Sequence, residues 1–140
     1  DPNFKDALLA RATLALTMEN GELALKDFTA ITSVDPSDYK AFTGKANAYS
    51  MMGQFEQAQS EAKAALKIAP KFSGALVASG LAYLGSHEYQ KSLDTLCEAI
   101  KIDDQNGQIY YLRSKAHAGL DQIEKAKKDE ELAKVLGFNG

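Results

Sequence analysis

The side chains with the most chemistry to offer in this sequence are Cys97, His87 and His117. A nucleophilic thiol needs a base within hydrogen-bond reach and a third group to orient that base. Cys97 is the single cysteine, so an internal disulfide is ruled out, and no His–Asn arrangement accompanies it; it reads as a small apolar packing residue. His87 and His117 stand far apart in the sequence, with neither an HExxH pair nor a cysteine pair beside them, so no zinc-type spacing exists. His87 falls in a turn and His117 in a column of aromatic packing residues. The glycines are scattered, which excludes a phosphate-cradling loop. The carboxylates fall mostly on outer helix faces and supply no isolated buried pair for acid–base work. These residues predict no catalytic group, no metal site and no cofactor, so the sequence does not read as an enzyme.

Composition narrows the partners. The 140 residues carry a net charge of −3 with acids and bases interspersed. That balance lacks the basic face that phosphate-backbone binding requires, so nucleic acid is not expected as a partner. No apolar run approaches the length of a membrane span, so direct membrane insertion is not expected. An opening Asp1 rather than Met leaves the compartment open. Abundant alanine, three prolines and no tryptophan favour helices packed closely through small residues.

Those helices recur. Pro2, Pro36 and Pro70 are evenly spaced, and other columns keep the same step. Leu8, Phe42, Leu76 and Tyr110 are large; Ala12, Ala46, Gly80 and Ser114 are small; Ala24, Ala58, Ser92 and Ala126 are small again. The unit 39–72 is the clearest copy. Phe42, Ala46 and Tyr49 recur at helical spacing, Gly53 breaks the run, and Phe55, Ala58, Ala62, Ala65 and Ile68 resume it until Pro70 closes the unit. Asp121 with Glu124 reads as a capping box, Ser86 as an N-cap and Gly137 as a C-cap over which Phe138 folds back. Such a period signifies a solenoid of helix pairs, because two short helices cannot bury their apolar faces without neighbours of their own kind.

The run Phe42, Ala46, Tyr49, followed by Ala58, Ala65 and an Ala-Pro or Asp-Pro stop, resembles the tetratricopeptide repeat. The resemblance covers residues 5–140 in four units, 5–38, 39–72, 73–106 and 107–140. It implies an all-α fold, an α-α superhelix (right-handed solenoid) of four helix pairs. Residues 1–4 match the close of a unit and are expected to be the tail of a preceding repeat. The last helix is polar, with Glu124–Lys128, Lys127–Glu131 and Glu130–Lys134 four apart, and is expected to cap the array at its C-terminal end. Two departures stand out. Arg11, Lys45, Ser79 and Arg113 occupy a place where the family's first helix usually carries leucine. The fourth unit has His117 where Tyr49 and Tyr83 stand, and Glu130 where Phe28 and Leu96 stand.

In this family the first helices line a concave groove that takes peptides or helices. Carried over column by column, the resemblance implies a groove of Leu9, Thr13 and Leu16, then Thr43, Asn47, Ser50 and Met51. Val77, Leu81 and Leu84 continue it, and Tyr111, Leu112 and Lys115 complete it. Leu81, Leu84 and Tyr111 are the expected anchors, with Asn47 and Lys115 fixing orientation. The clamp of Lys, Asn and Arg with which some relatives grip the acidic C-terminal tails of heat-shock chaperones is absent: over the first three units its positions hold Leu9, Thr13, Gly44, Gly74 and Ala78, a shift of one unit matches Asn47 but not Thr43, Ala78, Gln108 or Leu112, and a start one unit upstream matches Lys40 but not Ala10 or Gly44. The expected function is therefore a non-catalytic protein–protein interaction scaffold that binds a peptide or amphipathic helix. The alternatives are a self-assembling structural module, associating through the exposed N-terminal end, and a regulatory segment of a larger protein.

Overall fold

The computed structural model describes residues 2–140; Asp1, read from the sequence as part of a preceding repeat's tail, lies outside them. Eight α-helices follow one another: α1 (Pro2–Thr17), α2 (Gly21–Val34), α3 (Tyr39–Met51), α4 (Phe55–Ile68), α5 (Ser73–Gly85), α6 (Tyr89–Ile102), α7 (Gly107–Gly119) and α8 (Ile123–Val135). Successive helices pack as antiparallel pairs, α1 on α2 through α7 on α8. Each second helix also packs on the next first helix, and the first helices touch one another along the array. The result is an all-α superhelix of sequential helix pairs.

The period is kept to the residue. Helices α3, α5 and α7 start at Tyr39, Ser73 and Gly107, and α2, α4, α6 and α8 at Gly21, Phe55, Tyr89 and Ile123, always by the same step. Only α1 departs. Asn3 and Phe4, placed by the period in the tail of a preceding unit, are helical. At the position equivalent to Phe4, Asp38 stops its helix by accepting a hydrogen bond from the Ala41 amide, and Phe72 is held out of α5 by packing edge-on against Tyr39 at 5.0 Å. Phe4 is half-exposed and among the described residues makes neither contact, and α1 runs back to Pro2, a residue suited to a first turn.

The turns inside the pairs hold a left-handed residue in one column, Glu19, Gly53, His87 and Asp121, with φ of 56°, 74°, 63° and 58°. Gly53 adopts it at no steric cost, His87 and Asp121 are types enriched there, and Glu19 is the unsuited one. Two capping assignments are thereby overturned. Asp121 supplies this left-handed corner, Gln122 is the N-cap of α8 and makes no side-chain cap bond, so the capping box with Glu124 does not form. Ser86 is the C-cap of α5, its hydroxyl donating back to the Ala82 carbonyl, and does not start α6. Gly137 does end α8: with φ 89° it donates to the Lys134 carbonyl while Phe138 N–H donates to that of Ala133, the paired bonds of a Schellman closure.

Small columns set the spacing. Ala12, Ala46, Ala24 and Ala58 are fully buried. A Cβ on Gly80 would lie 2.7 Å from Leu96, and one on Gly44 would overlap the Phe28 ring. Ser92, fully buried, donates to the Gly80 carbonyl at 2.8 Å. Around these seats pack Phe28, Ile31, Leu76, Leu96 and Ile109.

The departures from leucine in the first helices have partners. Arg11 donates two 2.7 Å bonds to Asp27, which is 1% exposed. Arg113 does the same to Asp129 at 2.7 and 2.8 Å, and Lys45 meets Glu61 at 3.1 Å. Each carboxylate lies in one column, on the second helix of the same unit as its cation. The third unit has Ser79 and Thr95 in these columns, and Ser79 turns to the preceding unit: its hydroxyl donates to Gln59 Oε1, and Gln59 Nε2 to the Ser79 carbonyl, both at 2.8 Å. The Arg11 guanidinium holds the Asp27 carboxyl below the usual carboxylate range although burial opposes it. In the fourth unit His117, 8% exposed, has Nδ1 2.7 Å from Gln122 Oε1 and Nε2 3.6 Å from Asp129.

Candidate functional site

One groove of about 990 Å³ runs across the first helices. From α3 it takes Thr43, Asn47, Ser50 and Met51, from α5 Val77, Leu81 and Leu84, and from α7 Tyr111, Leu112 and Lys115. These positions recur once per unit because the period leaves each first helix facing the same way. Of α1 only Leu16, near its last turn, reaches the groove. Leu9 and Thr13 do not. Leu9 is 41% exposed, and the Thr13 hydroxyl is turned back onto the Leu9 carbonyl at 2.8 Å. Among the described residues no further pair packs on the outer side of α1 and curves round to enclose them.

Leu81 and Leu84 do two jobs. Both are half-buried, packed against the cluster of Leu76, Leu96 and Ile109, while their remaining surface lines the groove. Tyr111 is held from both sides: the Lys115 ammonium sits 4.8 Å from its ring centre and Phe138 packs at 5.1 Å. Lys115 is the one lysine or arginine among the lining residues.

Among the described residues nothing hydrogen-bonds the Asn47 side chain, whose donor and acceptor therefore face the groove unspent. One turn further on, Ser50 Oγ is out of contact with solvent and also has no partner. That unpaired buried hydroxyl costs about 1–3 kcal/mol and is closed to a groove occupant, whereas the partly exposed Asn47 amide is open to an occupant that brings hydrogen-bonding groups.

Column reading of the first helices missed the floor of the groove. Phe55 and Tyr89, the opening residues of α4 and α6, enter it beside Gly85 and Gly119, the closing residues of α5 and α7. A Cβ on either glycine would overlap the facing ring. An aromatic residue opening a second helix, answered by glycine at the close of the next first helix in two successive units, was the available signal. His87 also lines the groove, with Nδ1 2.8 Å from the Tyr89 hydroxyl. Among the described residues no three metal-ligating side chains converge, and no helix is long and apolar enough to cross a membrane.

Residues 39–72 match the family model described as tetratricopeptide repeat. The chain is 25% identical over 109 residues to Hsp70-Hsp90 organizing protein 1 of Glycine max, covering 78% of this chain and 19% of that protein. It is 28% identical over 101 residues to small glutamine-rich tetratricopeptide repeat-containing protein 2 of Mycosarcoma maydis, covering 72% and 29%. The chain thus spans less than a third of the length of these relatives. Among solved structures, a thermophilic tetratricopeptide protein of Thermus thermophilus superposes with a TM-score of 0.90 over 95% of this chain and 74% of its own, at 17% identity. The TPR2B domain of yeast Sti1, in its pHsp70 complex, superposes at 0.68 over 89% and 97%, at 21% identity.

Proposed function

The chain is a tetratricopeptide repeat protein, and from that premise we propose that it holds an apolar stretch of a partner protein, an extended peptide or one face of an amphipathic helix, in the groove of α3, α5 and α7. Tetratricopeptide repeats form non-catalytic scaffolds, and their domains typically bind other proteins. The observation that carries the finer reading is the pairing of half-buried Leu81 and Leu84 with the unspent amide of Asn47. The leucines gain from losing their remaining water, and the amide gives a partner's backbone a fixed register. Tyr111 adds an aromatic anchor and Lys115 a single cation at one end.

The relatives named for Hsp70 and Hsp90 suggest an acidic tail as the alternative cargo. A tail bearing several carboxylates needs several cations, and the groove lining supplies Lys115 alone among lysines and arginines. The favoured cargo is therefore apolar and close to neutral. Selection from a random-peptide display library tests this. Apolar sequences with at most one acidic residue should be enriched, and Leu81→Asp or Tyr111→Ala should weaken the selected peptide at least about tenfold, ~1.4 kcal/mol, at unchanged helicity. Enrichment of acidic C-terminal sequences, or affinities untouched by both variants, defeats the reading.

A further inference from the structure

The groove carries an ordered row of unlike groups. Asn47, Leu81 and Lys115 stand in one column, on α3, α5 and α7, and all three line the groove. The period that turns the first helices the same way therefore sets an amide, an aliphatic side chain and an ammonium side by side in that order. Helices α3, α5 and α7 pack in sequence, and packed helices lie about 8–10 Å apart, which sets the step of the row.

The last group of the row is a charge with nothing to neutralise it. Arg113, two positions earlier on α7, is committed to Asp129 through two hydrogen bonds. Lys115 is exposed and, among the described residues, meets no carboxylate; its ammonium rests 4.8 Å from the centre of the Tyr111 ring. A ring face attracts the charge from one side and leaves N–H donors for an acceptor on the other. The floor of this junction has no second charge to offer, since the Tyr89 hydroxyl is taken by His87 Nδ1 at 2.8 Å. One unit earlier, Phe55, Val77, Leu81 and Leu84 present hydrocarbon alone.

We propose that the α5–α7 junction reads an acidic side chain: the partner segment carries one Asp or Glu that pairs with Lys115 while its apolar anchor covers Leu81. This rests on the groove reading above and narrows it, from an apolar segment to an apolar segment with a single acid at a set distance. Charge complementarity names the acid, and the column names its place. The step of the row is bridged by about three residues of extended, polyproline-like chain or about seven of helix, and either spacing returns the side chain to the same face. A second carboxylate gains nothing, because one falling on Leu81 would lose water without meeting a donor. The junction therefore selects for one acid and against a run of them.

The test is selection from a random-peptide library displayed with its C-terminus fused, so that side chains supply the only peptide carboxylates, on the full chain and on its Lys115→Glu variant at matched helicity. On the parent, enriched sequences should carry one Asp or Glu at a fixed separation from an apolar residue. On Lys115→Glu, Lys or Arg should replace the acid at that position while the apolar residue stays. For a synthetic peptide selected on the parent, exchanging its acid for glutamine should weaken binding about threefold and remove most of its salt dependence. Lys115→Glu should weaken the acidic peptide at least about tenfold, through repulsion as well as loss of the pair. Lysine in the peptide against Lys115→Glu should return the affinity to within about threefold of the parent pair. Apolar sequences with no fixed acid, the same sequences on both chains, or failure of the charge exchange to rescue overturns this subsite and leaves the apolar groove standing. If neither chain enriches apolar sequences, the groove reading and the subsite fall together.

Discussion

A cation in a leucine column looks like a defect until its partner is found. Arg113 and Asp129 illustrate why the sequence concealed it: apolar and small columns repeat visibly, whereas a carboxylate on the following helix gives no signal of contact until the two helices are placed. Asp129 is 5% exposed and Asp27 1%, so each depends on its arginine. Arg113→Ala strands the Asp129 charge and should cost about 3 kcal/mol in urea unfolding, the low end for a buried pair because the guanidinium keeps some contact with water. Arg113→Met with Asp129→Leu restores an apolar contact and should recover most of that loss. If the double variant is as unstable as the single one, the pair is not a substitute for the missing leucine. Acid probes the same residues. The Asp27 carboxyl is lowered in the folded chain, first by hydrogen bonds from Arg11, and that of Asp35 is lowered to about 2, first by Lys5 and then by Ser37. A depressed folded value means the contribution is complete above the unfolded carboxyl value, about 3.9, and is lost as pH falls through the folded one. For Asp35 the loss belongs between about pH 4 and pH 2, and Asp35→Asn should flatten it, as read from urea midpoints across that window. An unchanged slope would place acid sensitivity elsewhere.

At the scale of the element, the repeat period was enough to set where α2 to α8 begin, because helix starts are fixed by where one unit must hand over to the next. Caps were less legible. Asp121 and Ser86 carry the right side chains for N-caps, yet the turn needs a left-handed residue at position 121 and ends α5 at position 86, and backbone geometry outweighs a side-chain preference there. That column offers a direct test. Glu19 adopts φ 56° at a conformational cost of about 1–2 kcal/mol for an L-residue, part of which glycine's greater freedom in the unfolded chain offsets. Glu19→Gly should therefore stabilise the chain by about 0.5–1 kcal/mol, and Gly53→Ala should destabilise it by a similar amount. Calorimetric midpoints that move in the same direction for both would show that φ is not what limits these turns.

Across the whole molecule each helix pair leans only on its neighbours, so stability follows position in the array. The groove was legible from Thr43 to Lys115, where each first helix has a preceding pair beside it, and failed at Leu9 and Thr13, because a column predicts which way a residue faces but not whether another unit curves round to enclose it. The same asymmetry governs dynamics. Helices α3 to α6 are covered by a pair on either side, whereas the outer face of α1 is open with Leu14 and Met18 exposed, and α8 leaves Val135 80% exposed. Local opening should therefore cost least at the two ends. In native-state hydrogen exchange the amides of α3 to α6 should be the slowest, and those of α1 before Ala10 among the fastest helical sites. A groove-selected peptide should then slow exchange in α3, α5 and α7, whose residues line the groove, while leaving the first turns of α1 as they were. Uniform protection from α1 to α8 would mean that the array opens only as a whole. Slowing confined to α1 would move the binding surface away from the groove and onto the face that carries Leu14.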